Sequence, residues 1–151
     1  MRPSAKSEYG VIALLELALH SGQGPLQVRA IARRRGIPVR FLEQVMSALK
    51  KAGLVESIRG AQGGYRLAKP PGKIQLSDVI QAIEGPIISM DIGAEKKSIG
   101  WKELQTEDRV VREVWEKVKI SVIEALSSMT LQDMCDRKHE LESQRVIMYH
   151  I

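Results

Sequence analysis

The stretch Gly36–Leu67, GIPVRFLEQVMSALKKAGLVESIRGAQGGYRL, decides the fold. Its first half spaces Phe41, Leu42, Val45, Leu49 and Ala52 one, three and four residues apart, the interval that lines one face of an α-helix. This predicts a helix over Pro38–Ala52 with an apolar inner face. Arg40, Glu43, Gln44, Ser47, Lys50 and Lys51 fall on the opposite side. Pro38 suits a helix opening, where its missing N–H would have no partner anyway, and Gly53 suits the position just past a helix end. Leu54–Ile58 then alternates apolar and polar residues as a half-buried strand does. Arg59–Gly64 is a glycine-rich turn, and Tyr65–Leu67 returns as a second strand. A helix with a cationic outer face, followed by a basic-tipped hairpin, is the outline of a helix-turn-helix with a wing. It points to DNA.

Working outward, Val28–Arg35 is a short helix with Val28, Ile31 and Ala32 inward and Arg29, Arg33, Arg34 and Arg35 outward. Gly36–Pro38 is the tight connector that a helix-turn-helix needs. Ahead of it, Ala5–Ser21 is a helix whose apolar face carries Tyr9, Ile12, Ala13, Leu15, Leu17 and Ala18; Gly22–Pro25 stops it. Behind the hairpin, Lys69–Gly72 is a break, and Leu76–Glu84 is a helix with Val79, Ile80 and Ile83 inward. Residues 86–100 lose period, a long loop for a compact domain and therefore a functional or mobile one. Thr106–Ser127 reads as a long helix. Its stripe of Val110, Val111, Val114, Trp115, Val118, Val122 and Leu126 is wider than one small domain needs to cover. Thr130–Asp133 reads as a capping box opening a short last helix to about Arg137, with the tail beyond it unassigned. The fold class is mainly α with a two-stranded wing, divided into a DNA-binding unit (1–85), a loop (86–105) and a dimerisation helix with its tail (106–151).

The 151 residues suffice for one domain with a core and an appendage. No stretch approaches the roughly 18 apolar residues of a membrane span, and the first residues lack the layout of a secretory signal. A single cysteine excludes an internal disulfide and fits a reducing cytosol. The net charge of +5 hides an asymmetry: residues 1–73 hold 13 Lys+Arg against 4 Asp+Glu, residues 74–151 hold 10 against 14. The positive field sits on the half that carries the reading helix, as a polyanion partner requires.

Phe41–Gln44, Leu49, Ala52–Val55, Ser57, Arg59, Gly60, Gly63–Tyr65 and Leu67 together resemble the Rrf2 family of bacterial winged-helix transcriptional regulators, the group that includes IscR, NsrR and CymR. Lys6 with Tyr9, Ile31 with Ala32, Asp78, Ile83 and Glu84–Pro86 support the likeness, which covers residues 1 to about 136. The resemblance implies a homodimer whose long helix crosses to the partner, acting on a roughly palindromic operator as a repressor or dual regulator. Some members hold an iron–sulfur cluster on three cysteines in the loop corresponding to Ile87–Leu104. Here that loop reads IISMDIGAEKKSIGWKEL. The three-thiolate site cannot form, so the chain is expected to be a cluster-free, CymR-like member with no cofactor.

The expected partners are double-stranded DNA and a second copy of the chain, with an unidentified protein or small-molecule effector and no membrane. Arg40, Glu43 and Gln44 stand where helix-turn-helix proteins meet base edges: Arg pairs with guanine, Gln with adenine, and Glu accepts from cytosine. For Glu43 the alternative is an intrahelical partner in Arg40. Ser47 and Lys50 would meet phosphate. Arg59, flanked by Gly60 with Gln62 nearby, can enter a narrow minor groove. Gly63 and Gly64 serve turn geometry alone. Arg33–Arg35 is either a solvated run or a phosphate contact beside the turn, and Arg2 and Lys6 are weaker candidates of the same kind.

Val111, Val114, Trp115, Val118, Val122 and Leu126 form the expected dimer seam. Trp101 and Trp115 pack its junction, or else border a small-molecule pocket. Cys135 and His139 share a helical face. They are either an incomplete ligand pair or, for Cys135, a core or dimer-contact residue. An unconventional cluster on Cys135, Glu8 or His139, and control by a docking metabolic enzyme, are the rival readings. His20 and His150 read as surface. No catalytic or metal-binding set has a defensible spacing.

Overall fold

The computed structural model describes residues 4–86 and 106–149. Helix α1 spans Ala5–Leu19, α2 Val28–Arg35 and α3 Val39–Lys51. Strands β1 (Val55–Ile58) and β2 (Gly64–Leu67) pair antiparallel, with Val55 opposite Leu67 and Ser57 opposite Tyr65. A 3-10 turn, Pro71–Lys73, leads to α4 (Leu76–Glu84); α5 spans Thr106–Ser128 and α6 Leu131–Tyr149. The loop expected over 86–105, apart from Pro86, lies outside the described residues, as do Arg2, Trp101 and His150.

The core forms where α1 and α3 meet. Leu14, Ile31, Leu42, Met46, Leu49 and Ile74 are fully buried there, each worth on the order of 2 kcal/mol in apolar surface removed from water. Tyr9 meets the ring of Phe41 edge to face at 5.5 Å. Two expectations for the inner faces need correction. Leu14 and Met46, which the periodicity reading left out, belong to the fully buried set, while Ala52 is exposed. Ala52 caps α3, Gly53 turns left-handed at φ +71, and the Gly53 and Leu54 amides bond the Lys50 and Leu49 carbonyls at 3.0 Å each. This is the Schellman closure. It folds Leu54 back into the core in place of Ala52.

The turn between α2 and α3 is equally specified. Gly36 adopts φ +66, the Ile37 amide bonds the Ala32 carbonyl at 3.0 Å, and the Ile37 side chain is buried beneath the turn. Val28, Ile31 and Ala32 face inward as their spacing requires.

The hairpin is not free-standing. Leu26, just before α2, exchanges two backbone hydrogen bonds with Tyr65, at 2.9 and 2.8 Å. A Cβ on Gly64 would lie 2.4 Å from the Leu26 carbonyl oxygen. Gly64 therefore serves a close approach between two elements, and the reading of it as turn geometry alone is corrected. That reading does hold for Gly63, whose Cβ would strike the carbonyls of Ile58 and Gly60 inside the turn itself.

The final helix is far longer than expected: α6 runs to Tyr149, not about Arg137. It opens on the capping box, with the Thr130 amide donating to Asp133 Oδ2 at 2.7 Å and the Asp133 amide to Thr130 Oγ1 at 3.2 Å. Backbone bonds from Leu76 to Met129 and from Leu131 to Ile74, both 2.9 Å, stitch the α5–α6 corner to the entry of α4. Leu131 and Cys135 join the main core, so the first turns of α6 pack with the winged-helix unit. Past Glu140, α6 is exposed throughout, and such a segment gives no inward periodicity to read.

Candidate DNA-binding surface

Helix α3 presents a sharply divided surface. Leu42, Val45, Met46 and Leu49 are buried, and Arg40, Glu43, Gln44, Ser47, Lys50 and Lys51 are all exposed. Among the described residues Arg40, Glu43 and Gln44 make no side-chain hydrogen bond or ion pair, so Glu43 is not neutralised by Arg40. A row of unpaired donors and acceptors on a helix whose other side is anchored in a core can be laid against base edges without breaking any internal bond.

At the far end of that row Lys50 is already engaged. Its Nζ donates to Ser57 Oγ on β1 at 2.6 Å, tying the last turn of α3 to the wing. Across the hairpin Arg66 Nε donates to Glu56 Oε1 at 2.5 Å, an opposed pair that fixes the register. Arg59, Gly60 and Gln62 are exposed at the hairpin tip, and Gly60 adopts φ +116.

The arginine run of α2 separates into unlike members. Arg33 is exposed and without a side-chain partner among the described residues. Arg34 and Arg35, expected to be solvated or on phosphate, both bind Glu16 of α1: Arg34 Nη1 at 2.7 Å and Arg35 Nε at 2.8 Å. The sequence reading missed Glu16, which is 5% exposed. The available signal was a carboxylate at a core-facing position, between Leu15 and Leu17 and three residues after Ala13.

The α5 stripe is uncovered in the single chain: Val111, Val114, Trp115 and Val118 are exposed, Val122 and Leu126 half-buried, and α5 has no buried residue. A groove of about 560 Å³ lies between α1 and α6, floored by Leu15, Met129, Met134 and Leu141.

Cys135 sits in the core, where burial, then the charge of Asp136, pushes its thiol up in pKa. His139 and Glu8 are exposed, and His20 is half-buried at the end of α1. Among the described residues no three His, Cys, Asp or Glu side chains cluster as metal ligands. Ser4 and Ser7 both donate to Glu84 Oε1, Ser7 at 2.6 Å. These bonds, that of Ser4 foremost, hold the Glu84 carboxyl below its ordinary value.

The family model for Rrf2, described as an iron-dependent transcriptional regulator, matches residues 3–137. The chain is 38% identical over 134 residues to the HTH-type transcriptional regulator CymR of Bacillus subtilis, covering 89% of each. Among solved structures it is similar to CymR (YrzC), the global cysteine regulator of B. subtilis. The TM-score is 0.75 at 36% identity, covering 91% of this chain and 98% of that one. It is likewise similar to T. potens IscR, with TM-score 0.73 and 41% identity over 93% of this chain and 90% of that one.

Proposed function

This chain belongs to the Rrf2 family of transcriptional regulators, and from that premise we propose that it represses transcription as a homodimer on a palindromic operator. It is a DNA-binding regulator and not an enzyme. One observation carries the reading: α3 buries Leu42, Val45, Met46 and Leu49 on one face and leaves six polar residues exposed on the other, with Arg40, Glu43 and Gln44 unpaired among the described residues. Arg40, Glu43 and Gln44 read bases in the major groove. Ser47, Lys50, Arg33 and Arg34 meet backbone phosphates, and Arg59, with Gly60 and Gln62, follows the minor groove.

Dimerisation follows from the uncovered α5. Its stripe is too apolar to remain in water, and a twin helix across a twofold axis would cover Val111, Val114, Trp115, Val118, Val122 and Leu126. The pairing sets two α3 helices about one DNA turn, roughly 34 Å, apart. With one cysteine in 151 residues, and that one in the core, the donor set does not fit the family's three-thiolate cluster. The chain acts in the cytoplasm without a cofactor, and its effector is a protein or small molecule. Selection of bound duplexes from a random pool gives the operator. Arg59→Ala should then weaken operator binding several-fold at moderate salt with the dimer intact, and unchanged affinity would remove the wing from the interface.

A further inference from the structure

Glu16 is a buried carboxylate that the DNA reading so far leaves unused. Among the buried Ala13, Leu14 and Leu17 its desolvation is unfavourable unless donors meet it. Three do: Arg34 Nη1 donates to Oε2 at 2.7 Å, Arg35 Nε to Oε1 at 2.8 Å, and Arg35 Nη2 to the same Oε1. The two arginines are held differently. Arg35 turns its Nε–Nη2 edge onto the carboxylate and so commits its fork to the protein. Arg34 gives up one nitrogen only. Its Nε and Nη2 stay free for another acceptor, on a side chain still 54% exposed.

A free arginine loses rotamer freedom when it grips a phosphate, whereas one already pinned at Nη1 has lost that freedom on folding. Arg34 also lies next to the Gly36 turn, so any phosphate it meets adjoins the reading helix. We propose that Glu16 is a positioning residue for DNA binding: it fixes Arg34 with its remaining donors toward a backbone phosphate, while Arg35 completes the neutralisation of the carboxylate. This rests on the reading of the protein as a DNA binder with Arg34 in the interface. The opposite consequence, in which Glu16 withholds both arginines from the duplex, differs in sign and is separable by measurement.

The experiment measures affinity of the full chain for its selected operator between about 50 and 300 mM salt. Glu16→Gln should bind about tenfold more weakly at fixed salt, although it removes a negative charge, and Glu16→Asp should recover most of the loss. Arg34→Gln should lower the slope of log affinity on log salt by about one phosphate equivalent. In that background Glu16→Gln should cost little more, because the two side chains act through one contact.

Tighter binding by Glu16→Gln with a steeper slope would overturn the proposal in favour of withheld charge. An equal loss with and without Arg34 would overturn it in favour of a packing role alone. Where Glu16→Gln fails to give native circular dichroism, Arg34→Lys carries the test. Lysine keeps the charge but cannot hold Glu16 and a phosphate in one planar fork, so unchanged operator affinity there overturns the proposal. Wild-type protein that selects no duplex would instead sink the DNA reading itself.

Discussion

Replacing Gly64 with alanine tests the join between wing and helix-turn-helix. Gly64 opens β2 at φ +155, and a Cβ there would stand 2.4 Å from the Leu26 carbonyl oxygen and 2.9 Å from the Gln27 amide nitrogen. Both obstacles are backbone, which cannot swing aside as the end of a long side chain can. The hairpin must therefore move off Leu26 and give up the two hydrogen bonds between Leu26 and Tyr65. Each contributes about 1 kcal/mol, and a side chain in that backbone region adds roughly 1 kcal/mol of strain. The sum of about 3 kcal/mol is a large share of the 5–15 kcal/mol that typically separates folded from unfolded domains. It should lower the thermal midpoint by about 6–12 °C for a chain of this size. Urea unfolding followed by circular dichroism at 25 °C reads the loss as a shifted midpoint at constant slope. Operator affinity should fall with it, since Arg59 rides on the displaced hairpin. A Gly64→Ala protein with the wild-type midpoint would refute the reasoning, because it would mean that the wing stands without Leu26.

Two further outcomes follow from other parts of the fold. Val118→Asp, in the middle of a helix with no buried residue, should leave the chain folded but monomeric by light scattering and unable to bind the operator. A surviving dimer would put the seam elsewhere. Ser7→Ala removes one of the two hydroxyl donors that lower the Glu84 pKa. A carboxylate with a depressed folded pKa stabilises the protein above its unfolded value, near 4.5, and loses that contribution as acid protonates it. The urea-midpoint gap between wild type and Ser7→Ala should thus be wide at pH 7 and narrow at pH 3. A gap independent of pH would mean that the loss is packing alone.

Local elements were legible because their causes are local. Val28–Arg35 and Leu76–Glu84 form over the residues their spacing predicts, and the polar face of α3 is exposed residue for residue as read. Glycine at 36 and 53 marks chain reversals that only a left-handed residue makes without strain. Contacts between distant segments were not legible. Nothing near Gly64 in the chain announces Leu26, and nothing near Arg34 announces Glu16, 18 residues earlier. The length of α6 also escaped, because its exposed second half has no apolar period to betray it.

The sequence by itself determined the helix-turn-helix, the wing and the polyanion partner, since hydrophobic period, turn chemistry and charge distribution are properties of order along the chain. Only the tertiary structure decided which cations remain free to meet DNA. Pairing depends on distance in space: Arg35 is committed to Glu16, while Arg33 and Arg40 keep their donors open among the described residues.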